Sequence, residues 1–136
     1  MYELFDHTAD LGLRIRAPNL PTVFADAARA LFAAIIEDLE TIQPQQTVEF
    51  TLPLEEPELL LFDWLRELLY RFDAQRLVCG KFEVALDDSG LKAHVHGEPF
   101  DPSRHIPLHE VKAITYHGLR LEKQPDGWLA EVIVDI

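Results

Sequence analysis

The sequence predicts a single α+β domain, residues 1–136, with two helices packed on a mainly antiparallel sheet. Three observations predict it. Two stretches carry apolar residues at helical spacing, and several others alternate apolar with polar residues as half-buried strands do. Two turn sequences, Asp87-Asp88-Ser89-Gly90 and Gln124-Pro125-Asp126-Gly127, each join two alternating stretches as a hairpin, which makes those pairs antiparallel. At 136 residues the chain suits one domain, and a domain of this size buries roughly two-thirds of its unfolded surface.

Tyr2 to Phe5 reads as an opening strand, interrupted by the polar Asp6-His7-Thr8-Ala9-Asp10. Leu11, Leu13, Ile15 and Ala17 then share one face of a second strand, with Arg14 and Arg16 on the other. Asn19 is a candidate N-cap and Pro21 falls in the first turn, where a missing N–H costs little. Leu20, Phe24, Ala27, Leu31 and Ile35 give the first helix its apolar stripe, and the helix should fade near Asp38. A strand follows from Thr47 to Leu52 and stops at Pro53.

Acidic residues and Pro57 then start a second helix from about Glu58 to Phe72, as the helix dipole favours. It is apolar round most of its circumference, so the sequence places it in the middle of the fold. Lys81 to Leu86 and Leu91 to His96 form a hairpin, Gly97 to Pro107 an ordered loop, and Val111 to Glu122 and Trp128 to Asp135 a last hairpin.

Charge and composition exclude several classes of function. Twelve Lys and Arg against 24 Asp and Glu leave a net charge of −12. Phosphate backbones repel such a surface, so no stable direct nucleic-acid binding is expected; cations or a basic protein surface are the better partners. Cys79 is the only cysteine, which rules out an internal disulfide and leaves no thiolate zinc site. No apolar run approaches the ~20 residues of a membrane span, and the N-terminus has no secretory pattern, so a cytoplasmic protein is expected.

Asp6-His7-Thr8-Ala9-Asp10 is the densest polar group of the N-terminal region. Two carboxylates and an imidazole could hold a metal or act as acid and base; a turn with Asp and Thr bonded to local backbone accounts for them as well. The last strand ends at Asp135, beside the carboxylate of Ile136. Pairing of the terminal strands would bring these groups to Asp6 or Asp10, and such a cluster calls for a hard cation such as Ca²⁺, Mg²⁺ or Mn²⁺. An ordinary strand end is the alternative. His94 and His96 share a strand face, where solvation explains them better than a metal pair. Lys112, among few cations, suits either a partner contact or a solvated surface. No Ser nucleophile elbow, phosphate loop or zinc-helix motif is present.

The segments Asp6-His7-Thr8-Ala9-Asp10-Leu11-Gly12, Phe62-Asp63-Trp64-Leu65-Arg66-Glu67-Leu68-Leu69-Tyr70, Gly97-Glu98, Glu110-Val111-Lys112-Ala113-Ile114-Thr115-Tyr116-His117-Gly118-Leu119 and Val134-Asp135-Ile136 together resemble the archease family, in the family's order. Arg104 before His105 is a conservative difference. The resemblance implies an accessory protein, not an enzyme. It would activate the RtcB-type RNA ligase of tRNA splicing and RNA repair by promoting guanylylation of a ligase histidine and multiple turnover. It also implies a metal site at Asp10, Asp135 and Ile136, with calcium the usual divalent ion. Lys112 falls on a position needed for ligase activation, and Asp6 and His7 belong to the same motif. A chaperone-like role toward a tRNA methyltransferase is the alternative that the family suggests.

Overall fold

A computed structural model describes residues 1–136. Strands β1 (Tyr2–His7) and β2 (Asp10–Ala17) precede helix α1 (Leu20–Ile35), β3 (Gln46–Pro53) and helix α2 (Pro57–Gln75). Then come β4 (Leu77–Asp87), β5 (Gly90–Pro99), β6 (Ala113–Ile114), β7 (Arg120–Gln124) and β8 (Gly127–Asp135). The α+β class holds and every strand pair is antiparallel, but the strands form two sheets rather than one. One has the order β1-β2-β8-β6, with β7 also paired to β8; the other is β3-β5-β4. Strand period reveals which residues face the core, whereas the choice of partner depends on contacts distant in sequence, so the division was not readable.

Leu11, Leu13, Ile15 and Ala17 face inward as their alternation requires, opposite Val134, Val132, Ala130 and Trp128 of β8. The two helices exchange the roles expected of them. Eleven of the sixteen residues of α1 are buried, and it touches β2 and β8 of one sheet and β4 of the other. Its alanines let both sheets approach closely, so α1 is the central helix. In α2 only eight of nineteen residues are buried, and Leu59 and Tyr70 face solvent. Trp64 ties the helices together: fully buried, its Nε1–H donates to the Phe24 carbonyl at 2.9 Å.

Both ends of α1 are satisfied. The Asn19 side chain accepts from the Thr22 N–H at 3.0 Å, as an N-cap does. At the other end the segment after β5 straps across the helix, and the Leu108 and His109 N–H groups donate to the Ile35 and Ala34 carbonyls at 2.9 and 3.0 Å.

Two stretches depart from the sequence reading. The expected continuous strand Val111 to Glu122 breaks into β6 and β7, with Gly118 at φ +68° between them. A turn there lets each piece pair with a different part of β8. The expected strand at Lys81 begins at Leu77, because a bulge between Cys79 and Lys81 shifts the alternation by one residue. The Cys79 thiol is buried in this strand, and desolvation pushes its pKa up to about 12.

Candidate metal centre

The β1–β2 hairpin closes with His7 opposite Asp10. The β2–β8 ladder runs to Leu11 opposite Val134, so the next residues, Asp10 and Asp135, flank each other one step beyond it. On its other side Asp135 is opposite Ala113. His7, Asp10, Asp135 and Ala113 thus form a transverse row at one end of the five-stranded sheet. Directly opposed residues project to the same face. Leu11 and Val134, one position further in, turn to the core, so the row projects to the outer face. The same alternation separates Asp6 from the row: it pairs with Leu11 and belongs to the other face.

The turn that brings His7 to Asp10 is strained. Thr8 has φ +49°, a conformation rare for a β-branched residue. His7 Nδ1 lies 3.9 Å from Asp10 Oδ2, and the His7 and His117 rings meet edge to face with centroids 5.6 Å apart. His7 Nδ1 is also the only buried side-chain nitrogen or oxygen in the protein without a hydrogen-bond partner. Asp10 has no ion-pair neighbour other than His7, and Asp135 has none. No three His, Cys, Asp or Glu side chains converge into a ready-made metal cluster. The set read from the sequence contains only two such side chains, Asp10 and Asp135; its third donor is the Ile136 carboxylate.

Lys112 adjoins this row through its backbone: its N–H donates to the Asp135 carbonyl at 2.7 Å. It also lines the largest cavity, about 690 Å³, between the end of α2 and the strap 107–112, where Phe72, Arg76 and Phe100 are neighbours. Lys112 makes no ion pair. Arg76 has none either, and its guanidinium lies over the Phe72 and Phe100 rings at 4.4 and 5.6 Å. Arg76 also adopts φ +53° at the end of α2, where its carbonyl accepts from the Phe100 N–H at 2.7 Å.

The other histidines fall elsewhere. His96 Nε2 lies 2.6 Å from Glu83 and its Nδ1 2.9 Å from the Thr47 hydroxyl, while His94 faces Glu49 at 3.7 Å. Each is paired across the exposed strand face, and the hydrogen bond from His96 draws the Glu83 pKa down.

A second polar cluster escaped the sequence reading. Glu98 and His105 are fully buried and joined at 3.0 Å. His105 Nδ1 accepts the Asp101 N–H at 2.9 Å, so the imidazole carries its proton on Nε2 toward Glu98. Glu98 further accepts the Gln43 N–H at 2.6 Å and pairs with Arg104, whose guanidinium also reaches the Thr41 carbonyl at 3.0 Å. Arg104, then the Gln43 N–H and His105, draw the Glu98 pKa below the ordinary carboxylate value against the cost of burial. Every polar group here has a partner, which marks it as the lock that fixes the strap. Arg104, which looked incidental in the sequence, is its counter-ion.

Fold and site define an acidic two-sheet α+β protein with a carboxylate row at one sheet end and, beside it, a cavity lined by both cations and carboxylates, Arg76 and Lys112 with Asp73 and Glu110. Residues 2–136 match the Archease protein family (MTH1598/TM1083). The chain is 39% identical over 140 residues to the archease of Pyrococcus furiosus, covering 99% of this chain and 98% of that one. It is 41% identical over 140 residues to the archease of Methanosarcina acetivorans, covering 99% and 95%. The solution structure of Methanobacterium thermoautotrophicum protein 1598 superposes with a TM-score of 0.87 at 32% identity, over 99% of this chain and 98% of that one. A crystal structure from Thermotoga maritima, described as an archease and possible chaperone, shares the fold with a TM-score of 0.70 at 22% identity, covering 100% and 98%. This chain belongs to the archease family. As the sequence led us to expect, no helix is long and apolar enough to cross a membrane.

Proposed function

We propose that this protein is a cytoplasmic accessory factor, not itself an enzyme, that activates an RtcB-type RNA ligase by promoting its guanylylation. The observation that carries the reading is the cross-strand row: Asp10 and Asp135 come from distant parts of the chain and share one face, and Ile136 follows Asp135 directly. Two side-chain carboxylates with a terminal carboxylate repel one another unless a cation neutralises them. Their hard oxygen donors fit a divalent ion, for which the archease resemblance indicates calcium. Asp10, Asp135 and the Ile136 carboxylate would hold the ion. Bound there, it supplies positive charge of the kind that offsets phosphate charge in nucleotidyl transfer.

The remaining steps belong to the chain. The net charge of −12 steers the carboxylate end toward a basic nucleotide site on the ligase. Asp10 and Asp135, placed on adjacent strands, present their charge in a fixed arrangement that needs no reorganisation on docking. Lys112, held by its backbone to the Asp135 carbonyl, contributes a cation one residue from the row and contacts the partner. An activator of this kind works by binding the competent geometry of the ligase more tightly than the idle one.

The test is single-turnover guanylylation of the cognate ligase with labelled GTP, with and without the protein. Stimulation by the wild type, lost in Asp10→Ala, Asp135→Ala and Lys112→Ala, is expected. Full stimulation by all three folded variants would overturn the reading. A methyltransferase chaperone is the second reading, favoured by the exposed Ile106 and Leu108 beside the cavity and by the description of the Thermotoga relative. It takes first place if a verified cognate ligase is not stimulated at all.

A further inference from the structure

The cavity between the end of α2 and the strap 107–112 combines an apolar lining with charges of both signs. Ile35, Phe72 and Val111 are buried in its lining, and Leu108 adds an apolar side chain that is 49% exposed. Each wall carries one charge of either sign: Asp73 and Arg76 at the end of α2, Glu110 and Lys112 on the strap. None of the four makes an ion pair, whereas Arg14, Arg16, Arg29, Arg104 and Arg120 are each paired with a carboxylate. At about 690 Å³ the cavity has the size of a ligand-binding cleft, roughly 300–1,000 Å³.

The groups that line it stand on fixed backbone. The Leu108 and His109 N–H groups are bonded to the end of α1, and the Ile106 carbonyl accepts the Glu37 N–H at 2.8 Å. Arg76 is held at φ +53°, uncommon for a residue other than glycine, with its guanidinium over the Phe72 and Phe100 rings. Side chains presented in this way lose little freedom when a partner docks.

The charges select the occupant. A phosphate group would meet Asp73 and Glu110 beside the two cations, and two copies of a chain with net charge −12 repel each other. A polypeptide segment can supply both signs: an apolar side chain for the lining, a basic residue for Asp73 or Glu110, and an acidic one for Arg76 or Lys112. We infer that the cavity is a docking pocket for such a segment of the ligase, with Arg76 and Leu108 as its anchors. The inference rests on the activator reading above and extends it. The carboxylate row acts on the nucleotide site, and the cavity sets how tightly and in which orientation the protein docks.

The test is the affinity of the intact protein for the cognate ligase, read by interferometry. Leu108→Asp should weaken binding about tenfold or more. So should the double variant Asp73→Lys with Arg76→Glu, which keeps the net charge and therefore the long-range attraction. Leu54→Asp, at a position 59% exposed and outside the cavity, should bind as the wild type does. With p-benzoylphenylalanine at position 108, light should crosslink the protein to a ligase peptide that has an apolar residue between charges of both signs. Wild-type affinity in Leu108→Asp and the double variant would overturn the inference and leave the activator reading standing. An equal loss in Leu54→Asp, or a crosslink only to a second copy, would do the same. If the wild type binds no verified cognate ligase, the activator reading falls and the inference with it. The crosslink decides the question even if the double variant does not fold.

Discussion

The protein has two polar clusters, and they differ in how their groups are satisfied. At Glu98, His105 and Arg104 a buried carboxylate meets a guanidinium, an imidazole and a backbone N–H, and no donor or acceptor is left over. At His7, Asp10 and Asp135 the groups are half-exposed, one carboxylate has no ion-pair partner, and a buried nitrogen has no hydrogen bond. The first arrangement holds the strap that caps α1. The second is held in place by the sheet. Unsatisfied groups on a rigid frame are what a binding site requires, and satisfied ones are what a fold requires.

The largest effect should come from breaking the lock. Glu98→Ala removes the acceptor for three donors and should cost about 2–4 kcal/mol in urea unfolding. A loss below about 1 kcal/mol would mean that the cluster is not structural. The neighbouring glycine sharpens the contrast. A Cβ on Gly97 would meet the Val78 carbonyl oxygen at 2.0 Å, a backbone obstacle, whereas one on Gly12 near the carboxylate row would meet the Phe5 ring at 2.2 Å, which can swing aside. Gly97→Ala should therefore destabilise by about 2 kcal/mol and Gly12→Ala by less, as thermal melts of the two variants can show.

A smaller effect concerns acid. The folded Glu98 pKa lies below its ordinary value of 4.5, chiefly because of Arg104. Its contribution is therefore complete above the unfolded value and is lost as pH falls through the folded one. Replacing it with Gln should flatten the dependence of stability on pH below about 4.5. An unchanged acid limb in Glu98→Gln would assign the dependence to other carboxylates. The smallest effect is expected in the row: Asp10→Ala and Asp135→Ala should each shift unfolding by no more than about 0.5 kcal/mol in metal-free buffer. A large loss there would make the row a structural device and end the contrast.

The sequence made these regions legible to different degrees, for physical reasons. Residues that act through local geometry could be read directly: Asn19 and Pro21 at the start of α1, the inward faces of β2 and β8, and the two hairpin turns. Asp10 and Asp135 could be singled out as chemistry, but their juxtaposition depends on β2 pairing with β8 across more than a hundred residues, and the resemblance supplied what spacing did not. The centrality of α1 was missed because alanine carries little hydrophobic signal while permitting close approach to two sheets. The lock was missed because Glu98 and His105 are seven residues apart in a Pro-rich stretch with no period, so nothing local marks them as buried. The break at Gly118 was missed although the alternation changes phase there, from Ile114 and Tyr116 before it to Leu119 and Leu121 after it.

The most direct test of the account compares Asp10→Asn and Glu98→Gln in one single-turnover guanylylation assay with the cognate ligase, at a temperature where both variants remain folded. The account predicts that Asp10→Asn keeps wild-type stability and loses stimulation, while Glu98→Gln loses stability and keeps stimulation. Full stimulation by Asp10→Asn would contradict it.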